Sequence, residues 1–326
     1  MARPQCPGCT AAGSERLVAL DGDREIRRCE ACDLVFAHPM PSGQEIAEYY
    51  QGFAFGLPSA DAIARQTDIV RANVARIVDD LAAVRCSFGS ALDFGGGMGF
   101  YSNGFADHFE TVDLFDLDRV ALDHARALFP DRFGLQTTEP GQIPQFQRTY
   151  DLIFANQVIE HYTDLGLFFA TLRAAAHENT IFVITTPNNR SANHWVRPDV
   201  LARYSGLGAK NLVGRLRNIV SLTRASWACC DPPRHVFAFD PDNLRQIAER
   251  HALSALHVST MYCTDDYYSP AKYRPVRPRD LKTLFWSVAN PAIRRAVRLM
   301  RRFDRTHERG DDIVLLARLA GGSRSA

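Results

Sequence analysis

The chain of 326 residues contains no apolar run long enough to span a bilayer, which takes about 20 consecutive apolar residues. The opening MARPQCPGCT lacks the pattern of a secretory signal, so a cytoplasmic location is expected. Charge of one sign is also missing. With 38 Lys and Arg against 37 Asp and Glu, the net charge is +1, which leaves no electrostatic footprint for nucleic acid over the whole molecule. No internal repeat or low-complexity tract occurs. What remains, at 46% hydrophobic and 23% charged residues, is a globular chain of one large domain with small additions.

Cysteine is concentrated rather than scarce. Four of the eight fall in the first 32 residues, as Cys6-x-x-Cys9 and Cys29-x-x-Cys32. Two such pairs in a chain without a secretion signal predict a structural tetrathiolate zinc site rather than disulfides. Each two-residue gap lets two sulfurs reach one tetrahedral ion, and four thiolates leave no open position for chemistry. A redox pair is the alternative. Residues 1–50 carry five Arg against eight acids, the wrong balance for a module that grips phosphates. The ribbon reads as a folding and docking element.

Beyond it, residues 41–88 form a connector with two prolines and a helical apolar spacing through Ile63, Val70, Val74, Ile77, Leu81 and Val84. Strands and helices then alternate: SALDF, a helix from about Phe100, ETVDLFD, RVALDHARALF, a weak strand FGLQTTE, a strong strand YDLIFAN, a helix over 163–176 capped by Thr163 or Asp164, and NTIFVITTPN. LSALHVST and DDIVLLARL read as the last two strands. The alternation predicts an α/β fold with a parallel sheet covered on both faces. Residues 188–240 and 265–310 break the rhythm, as segments that carry specificity do. Within the second, residues 272–309 hold twelve Lys and Arg against three acids, either a solvated face or a binding surface for an anionic acceptor or a membrane.

The glycines of ALDFGGGMGF, residues 91–100, let a ligand come close to bare backbone without saying which. Two absences narrow the class. Read from Gly95 or from Gly97, the dinucleotide motif G-x-G-x-x-G lacks its third glycine, and no Lys-Ser/Thr follows to complete a P-loop. What fits is Asp93, Gly95, Gly97 and Gly99 in acid-x-Gly-x-Gly-x-Gly order.

That pattern resembles motif I of the class I S-adenosylmethionine-dependent methyltransferases. The later FANQVIEHYTD, TTPN and PPRHVFAFDPDNL resemble a type 11/23-like group among them. The whole order, ribbon first, is similar to bacterial enzymes that methylate small molecules, sugars and quinone rings. The resemblance implies a Rossmann-like class I methyltransferase sheet of seven strands with the last antiparallel, following a small N-terminal zinc ribbon. It implies domains at 1–40 (ribbon), 41–88 (a connector covering the donor site) and 89–326 (the methyltransferase). The implied cofactors are S-adenosylmethionine and a structural zinc ion.

By the same resemblance Asp116 grips the donor's ribose, with Asp113 and Asp118 as competitors, Leu117 follows it, Glu139 lies near the adenine, and Asn156 contacts the donor past the fourth strand. Asp93 either orients the loop or reaches the donor's amino group. His161 and His235 are the candidate bases, each with a bracing role as the alternative. Tyr49 and Tyr50 are candidates to close over the donor. The expected reaction is O-methylation of a small-molecule or glycan-type acceptor, an anionic one if the basic segment binds it, with no nucleic-acid partner. The rivals are an RNA methyltransferase, a non-catalytic donor-binding protein and a nicotinamide oxidoreductase.

Overall fold

The computed structural model describes residues 4–20, 22–51, 59–191, 194, 198–261, 295, 299 and 308–321. Strands β1 (Ser14–Ala19), β2 (Glu25–Cys29) and β3 (Val35–His38) form an antiparallel meander that brings the two cysteine pairs together. Helix α1 (Gly43–Gln51) follows, then α2 (Ala60–Ala83), which starts where the Ser59 hydroxyl accepts from the Ala62 amide. On α2 the residues Val70, Val74 and Leu81 recur on one stripe and are buried.

The remaining elements are β4 (Ser90–Phe94), α3 (Phe100–Phe105), β5 (Thr111–Phe115), α4 (Arg119–Leu128), β6 (Gly134–Gln136), β7 (Tyr150–Asn156), a 3-10 turn (Ile159–His161), α5 (Leu165–Ala174), β8 (Ala176–Pro187), α6 (Pro198–Gly206), α7 (Leu212–Arg224), β9 (Phe237–Ala238), α8 (Pro241–Arg250), β10 (Leu253–Met261) and β11 (Asp312–Leu319). Seven strands form one sheet in the order β10-β11-β8-β7-β4-β5-β6. β4 is parallel to both β5 and β7, and β8 is parallel to β7. β11 is antiparallel to both β8 and β10. The α/β fold, its seven strands and its antiparallel last strand match the expectation. The chain reverses its direction of travel across the sheet between β4 and β7, and in open α/β sheets ligands gather at the carboxyl ends of the strands at such a point.

Side-chain alternation along β7 divides the core. Leu152 and Phe154 join Val70, Val74 and Phe105 on one face; Ile153 and Ala155 join Phe168, Leu172 and Leu244 on the other. Burying each such large apolar side chain contributes about 1.5–3 kcal/mol. On the first face Gly104 of α3 lets α2 approach, since a Cβ there would stand 2.9 Å from Val74 Cγ2.

Two details differ from the sequence reading. The helix expected over 163–176 runs from Leu165 to Ala174, because the Asp164 carboxylate caps it by accepting from the Leu167 amide. Residues 188–240, read as lacking a strand, contain β9, which adds to the ribbon as Phe36↔Phe237 and Val35↔Ala238. The ribbon also shares the second core face through Leu34, Phe36 and Ala37, and Gly8 lies against Ile247 of α8, where a Cβ would come within 2.8 Å of its Cδ1. Apart from Arg295, Leu299 and residues 308–309, the basic segment 272–309 lies outside the described residues, so the structure adds nothing to its expected role. No described helix is long and apolar enough to cross a membrane.

Candidate functional site

The glycine loop leaves β4 at the reversal point. The Gly95 and Gly96 amides donate to the Phe115 carbonyl at 2.7 and 3.3 Å, and the Gly97 amide donates to Asp116 Oδ2 at 2.8 Å. Gly97 has φ +54° and a Cβ there would meet nothing within 4 Å, so this stretch of backbone is bare toward the cleft. Gly99, at φ +77°, is close-packed: a Cβ would stand 2.6 Å from Phe133 Cζ.

The three acids of β5 and the turn that follows it separate by environment. Asp113 accepts from the Tyr150 hydroxyl at 2.7 Å and lies 3.6 Å from Arg148. Asp118 caps α4 through the Val120 and Ala121 amides. Asp116 alone reaches across to the glycine loop, its other oxygen accepting from the Asp118 amide at 2.9 Å. Each of its oxygens keeps a further lone pair, which a carboxylate can offer to a cis-diol. Burial pushes the Asp116 carboxyl above its ordinary range. Leu117 beside it is 40% exposed, a large apolar side chain held open at the cleft. Glu139 is exposed and pairs with Arg119 at 3.1 Å, which sets it at the N-terminal end of α4.

Asp93 lies beneath the loop. It is 1% exposed, accepts from the Ser102 hydroxyl at 2.6 Å, and its carboxylate underlies Gly96, where a Cβ would come within 2.5 Å of Oδ2. Burial raises its pKa to about 7, against the lowering effect of Ser102. Of the two roles left open by the sequence, this placement suits loop anchoring.

At the end of β7, Asn156 Oδ1 accepts from the Thr185 hydroxyl at 2.6 Å. Gln157 takes a left-handed φ of +59°, and its buried Nε2 finds no hydrogen-bond partner among the described residues. Val158 then covers Gly95, where a Cβ would strike its Cγ2 at 2.6 Å. Tyr162 is raised in pKa by burial and by the nearby Asp116 charge. Neither Gln157 nor Tyr162 is among the sequence candidates; a polar residue right after YDLIFAN was the only available signal for Gln157.

His161 and His235 are 74 positions apart in sequence yet in contact, with ring centroids 4.8 Å apart at 61°. The Val236 amide donates to the Glu160 carbonyl, which ties the loop of residues 231–236 to the turn after β7. His161 Nδ1 donates to the Arg234 carbonyl at 2.8 Å, so its Nε2 is the unprotonated nitrogen of the neutral ring. Burial first, then the neighbouring His235, lowers its pKa to about 4. His235 Nδ1 lies 3.2 Å from both Asp231 Oδ1 and the Cys229 carbonyl. Asp231 also pairs with Arg203 and Arg234. Glu160 is 1% exposed and is pushed up to about 8 by burial; its Oε2 accepts from Thr186 at 2.9 Å. Tyr49 in α1 is close enough to influence Arg234. Nothing is described of the Tyr50 side chain.

At the ribbon, Cys6 and Cys32 sulfurs are 3.7 Å apart and Cys9 and Cys29 3.6 Å, with all four within 4.8 Å of one another. Zn–S bonds of about 2.3 Å in a tetrahedron put sulfurs about 3.8 Å apart, whereas a disulfide needs about 2.05 Å. The donor set and its spacing suit a tetrathiolate ion.

Residues 65–258 match the profile of a methyltransferase-domain family. Among curated relatives, a probable S-adenosylmethionine-dependent methyltransferase of Mycolicibacterium smegmatis is 28% identical over 112 residues, 34% of this chain and 43% of that protein. A malonyl-[acyl-carrier protein] O-methyltransferase of Legionella pneumophila is 27% identical over 131 residues, 39% of this chain and 46% of that one. The chain thus spans less than half the length of the curated relatives it matches. Among solved structures, a S-adenosylmethionine-dependent methyltransferase from Clostridium acetobutylicum is 11% identical with a TM-score of 0.45, the match covering 85% of this chain and 99% of that one.

Proposed function

The chain belongs to the methyltransferase-domain family matched by its residues 65–258, and on that premise we propose that it transfers a methyl group from S-adenosylmethionine to oxygen of a small-molecule or glycan-type acceptor. When bound, the donor supplies an electrophilic methyl on a sulfonium centre. The observation that carries the reading is Asp116, the one acid of three that is directed to the bare Gly97 backbone rather than to a cap or a tyrosine.

In this reading Asp116 accepts from the ribose hydroxyls while Leu117 packs against the adenine, with Glu139 at its rim. Gly95, Gly97 and Gly99 let the backbone come close to the methionine portion, and Asp93 holds their loop from below through Ser102. Asn156, and Gln157 with its unpartnered amide, line the end of β7. His161, in the 3-10 turn that follows Val158, and His235 packed against it stand on the acceptor side. The tautomer fixed by the Arg234 carbonyl makes His161 Nε2 a proton acceptor, and Asp231 steadies His235. General-base work of this kind contributes typically 10²–10⁴-fold. The four ribbon cysteines hold a structural zinc ion, which has no open position and takes no part in the chemistry.

Calorimetric titration with S-adenosylhomocysteine tests the donor site. Asp116→Ala is expected to weaken binding by at least about tenfold, the loss of hydrogen bonds to a charged group. Unchanged affinity, or stabilisation of the wild type by NAD(P) in place of S-adenosylhomocysteine, would overturn the assignment. Radiolabelled donor with fractionated metabolites then identifies the acceptor.

A further inference from the structure

Helix α7 inverts the usual arrangement of a surface helix. Its buried residues are Asn218 and Leu222, whereas Leu212, Val213, Leu216 and Val220 are 70, 64, 54 and 51% exposed. At roughly 100° per residue these four share an arc of about 100°, on the side of the helix opposite Asn218. Arg215 borders one edge of the arc and Arg217 and Arg224 the other, with Lys210 just before the Asn211 cap. No Asp or Glu occurs between Asp199 and Asp231. An apolar strip with cationic margins and no acid is the pattern of a helix lying in a lipid interface, its apolar face among the acyl chains and its cations at the headgroups.

We propose that α7 docks this protein on an anionic membrane surface. The helix is held rigidly enough to do so. Asn211 caps it through the Gly214 amide, Asn218 Nδ2 donates to the carbonyls of Ser205 and Leu207 at the end of α6, and Ser221 donates to the Leu17 carbonyl of the ribbon. The exposed strip is therefore presented by its anchored back, and no rearrangement is needed to uncover it. The margin supplies the choice of lipid: each cation near an anionic surface gains about 1 kcal/mol, roughly fivefold in partition. A neutral bilayer or a partner with a basic face gains nothing from these four. α6 also carries Arg203, which pairs with Asp231 beside His235, so the docked face is structurally continuous with the acceptor side. That last point alone rests on the proposed function; it favours an acceptor with a lipid anchor.

The test is co-sedimentation of the full chain with vesicles of phosphatidylcholine containing phosphatidylglycerol, and with phosphatidylcholine alone. The comparison variants are Leu212→Asp/Leu216→Asp and Arg215→Glu/Arg217→Glu, all at exposed positions where folding is spared, as a thermal melt will verify. The basic 272–309 segment is present in every variant, so differences belong to α7. The wild type is expected to favour the anionic vesicles, and either variant to lose at least tenfold in partition, with S-adenosylhomocysteine affinity unchanged. Equal partition of wild type and both variants overturns the proposal. So does a wild-type dimer in light scattering that Leu212→Asp/Leu216→Asp converts to monomer, which would assign the strip to a second copy. Loss of S-adenosylhomocysteine binding by the wild type would instead refute the donor site and leave docking intact.

Discussion

Asp93 gives a test in which the sign and the size of the effect both follow from burial. Its carboxyl is 1% exposed and its pKa is raised from 3.8 to about 7, burial being the main cause. Because the folded-state value is the higher one, the folded chain holds the proton between about pH 4 and pH 7 while the unfolded chain has released it. Stability from this group is therefore greatest at or below pH 4 and is lost as pH rises through 7. The difference of about 3 units corresponds to a ceiling of about 4 kcal/mol above pH 7, approached at about 1.4 kcal/mol per pH unit within the window. Asp93→Asn carries no such charge, and its amide oxygen can still accept from Ser102.

Urea unfolding of both proteins at several pH values between 4 and 8 isolates the effect, since the ribbon and every other titrating group are common to both. The variant is expected to gain on the wild type steadily up to pH 7 and to stay ahead by a constant margin above it. A pH-independent difference, or a variant that is the less stable of the two at pH 8, would refute the argument. Titration with S-adenosylhomocysteine adds a second readout: loop anchoring predicts less than tenfold loss in Asp93→Asn, whereas a direct contact to the donor's amino group predicts more.

The two glycines separate space from strain. Gly99→Ala should destabilise strongly, by at least about 2 kcal/mol in urea unfolding, because its Cβ collides with Phe133; Gly97→Ala should cost about 1 kcal/mol of stability yet weaken S-adenosylhomocysteine binding at least tenfold, its Cβ projecting into the open cleft. Stripping metal with a chelator, or the change Cys29→Ser, should lower the melting temperature and loosen the ribbon, an outcome read from zinc content alongside far-UV dichroism. An unaltered melt after complete removal of zinc would refute the structural role. His235→Ala should reduce kcat about 10²–10⁴-fold with donor affinity unchanged, and a loss confined to acceptor KM would make it a positioning residue.

Most of the large sheet was legible because its strands are short apolar runs punctuated by glycine, asparagine or proline, and β4 and β7 fall at the bounds read from the sequence. The glycine loop and each cysteine pair were legible for a related reason: each is written within a few consecutive residues, where spacing fixes geometry. Contacts between distant segments were not. Nothing local reveals that His161 meets His235, since the link is an amide–carbonyl bond between Val236 and Glu160. The resemblance favours Asp116 over Asp113 and Asp118, but only the folded chain shows Tyr150 engaging Asp113 and Asp118 capping α4. The exposed strip on α7 escaped because its apolar spacing looks like that of any amphipathic helix. Which side faces the protein was decided by Asn218, whose amide bonds to α6 turn the polar face inward.

β9 is only two residues long, yet it determines when the N-terminal sheet can be completed. β3 meets its partner about 200 positions later in the chain, a separation that makes this pairing among the slowest to close. During synthesis the first three strands emerge with one edge unpaired, and the cysteine cluster must hold them until Phe237 and Ala238 arrive. On the zinc proposal, metal supply at that early stage would bear first on the yield of folded protein. The same pairing helps to set the place of His235, two residues before β9.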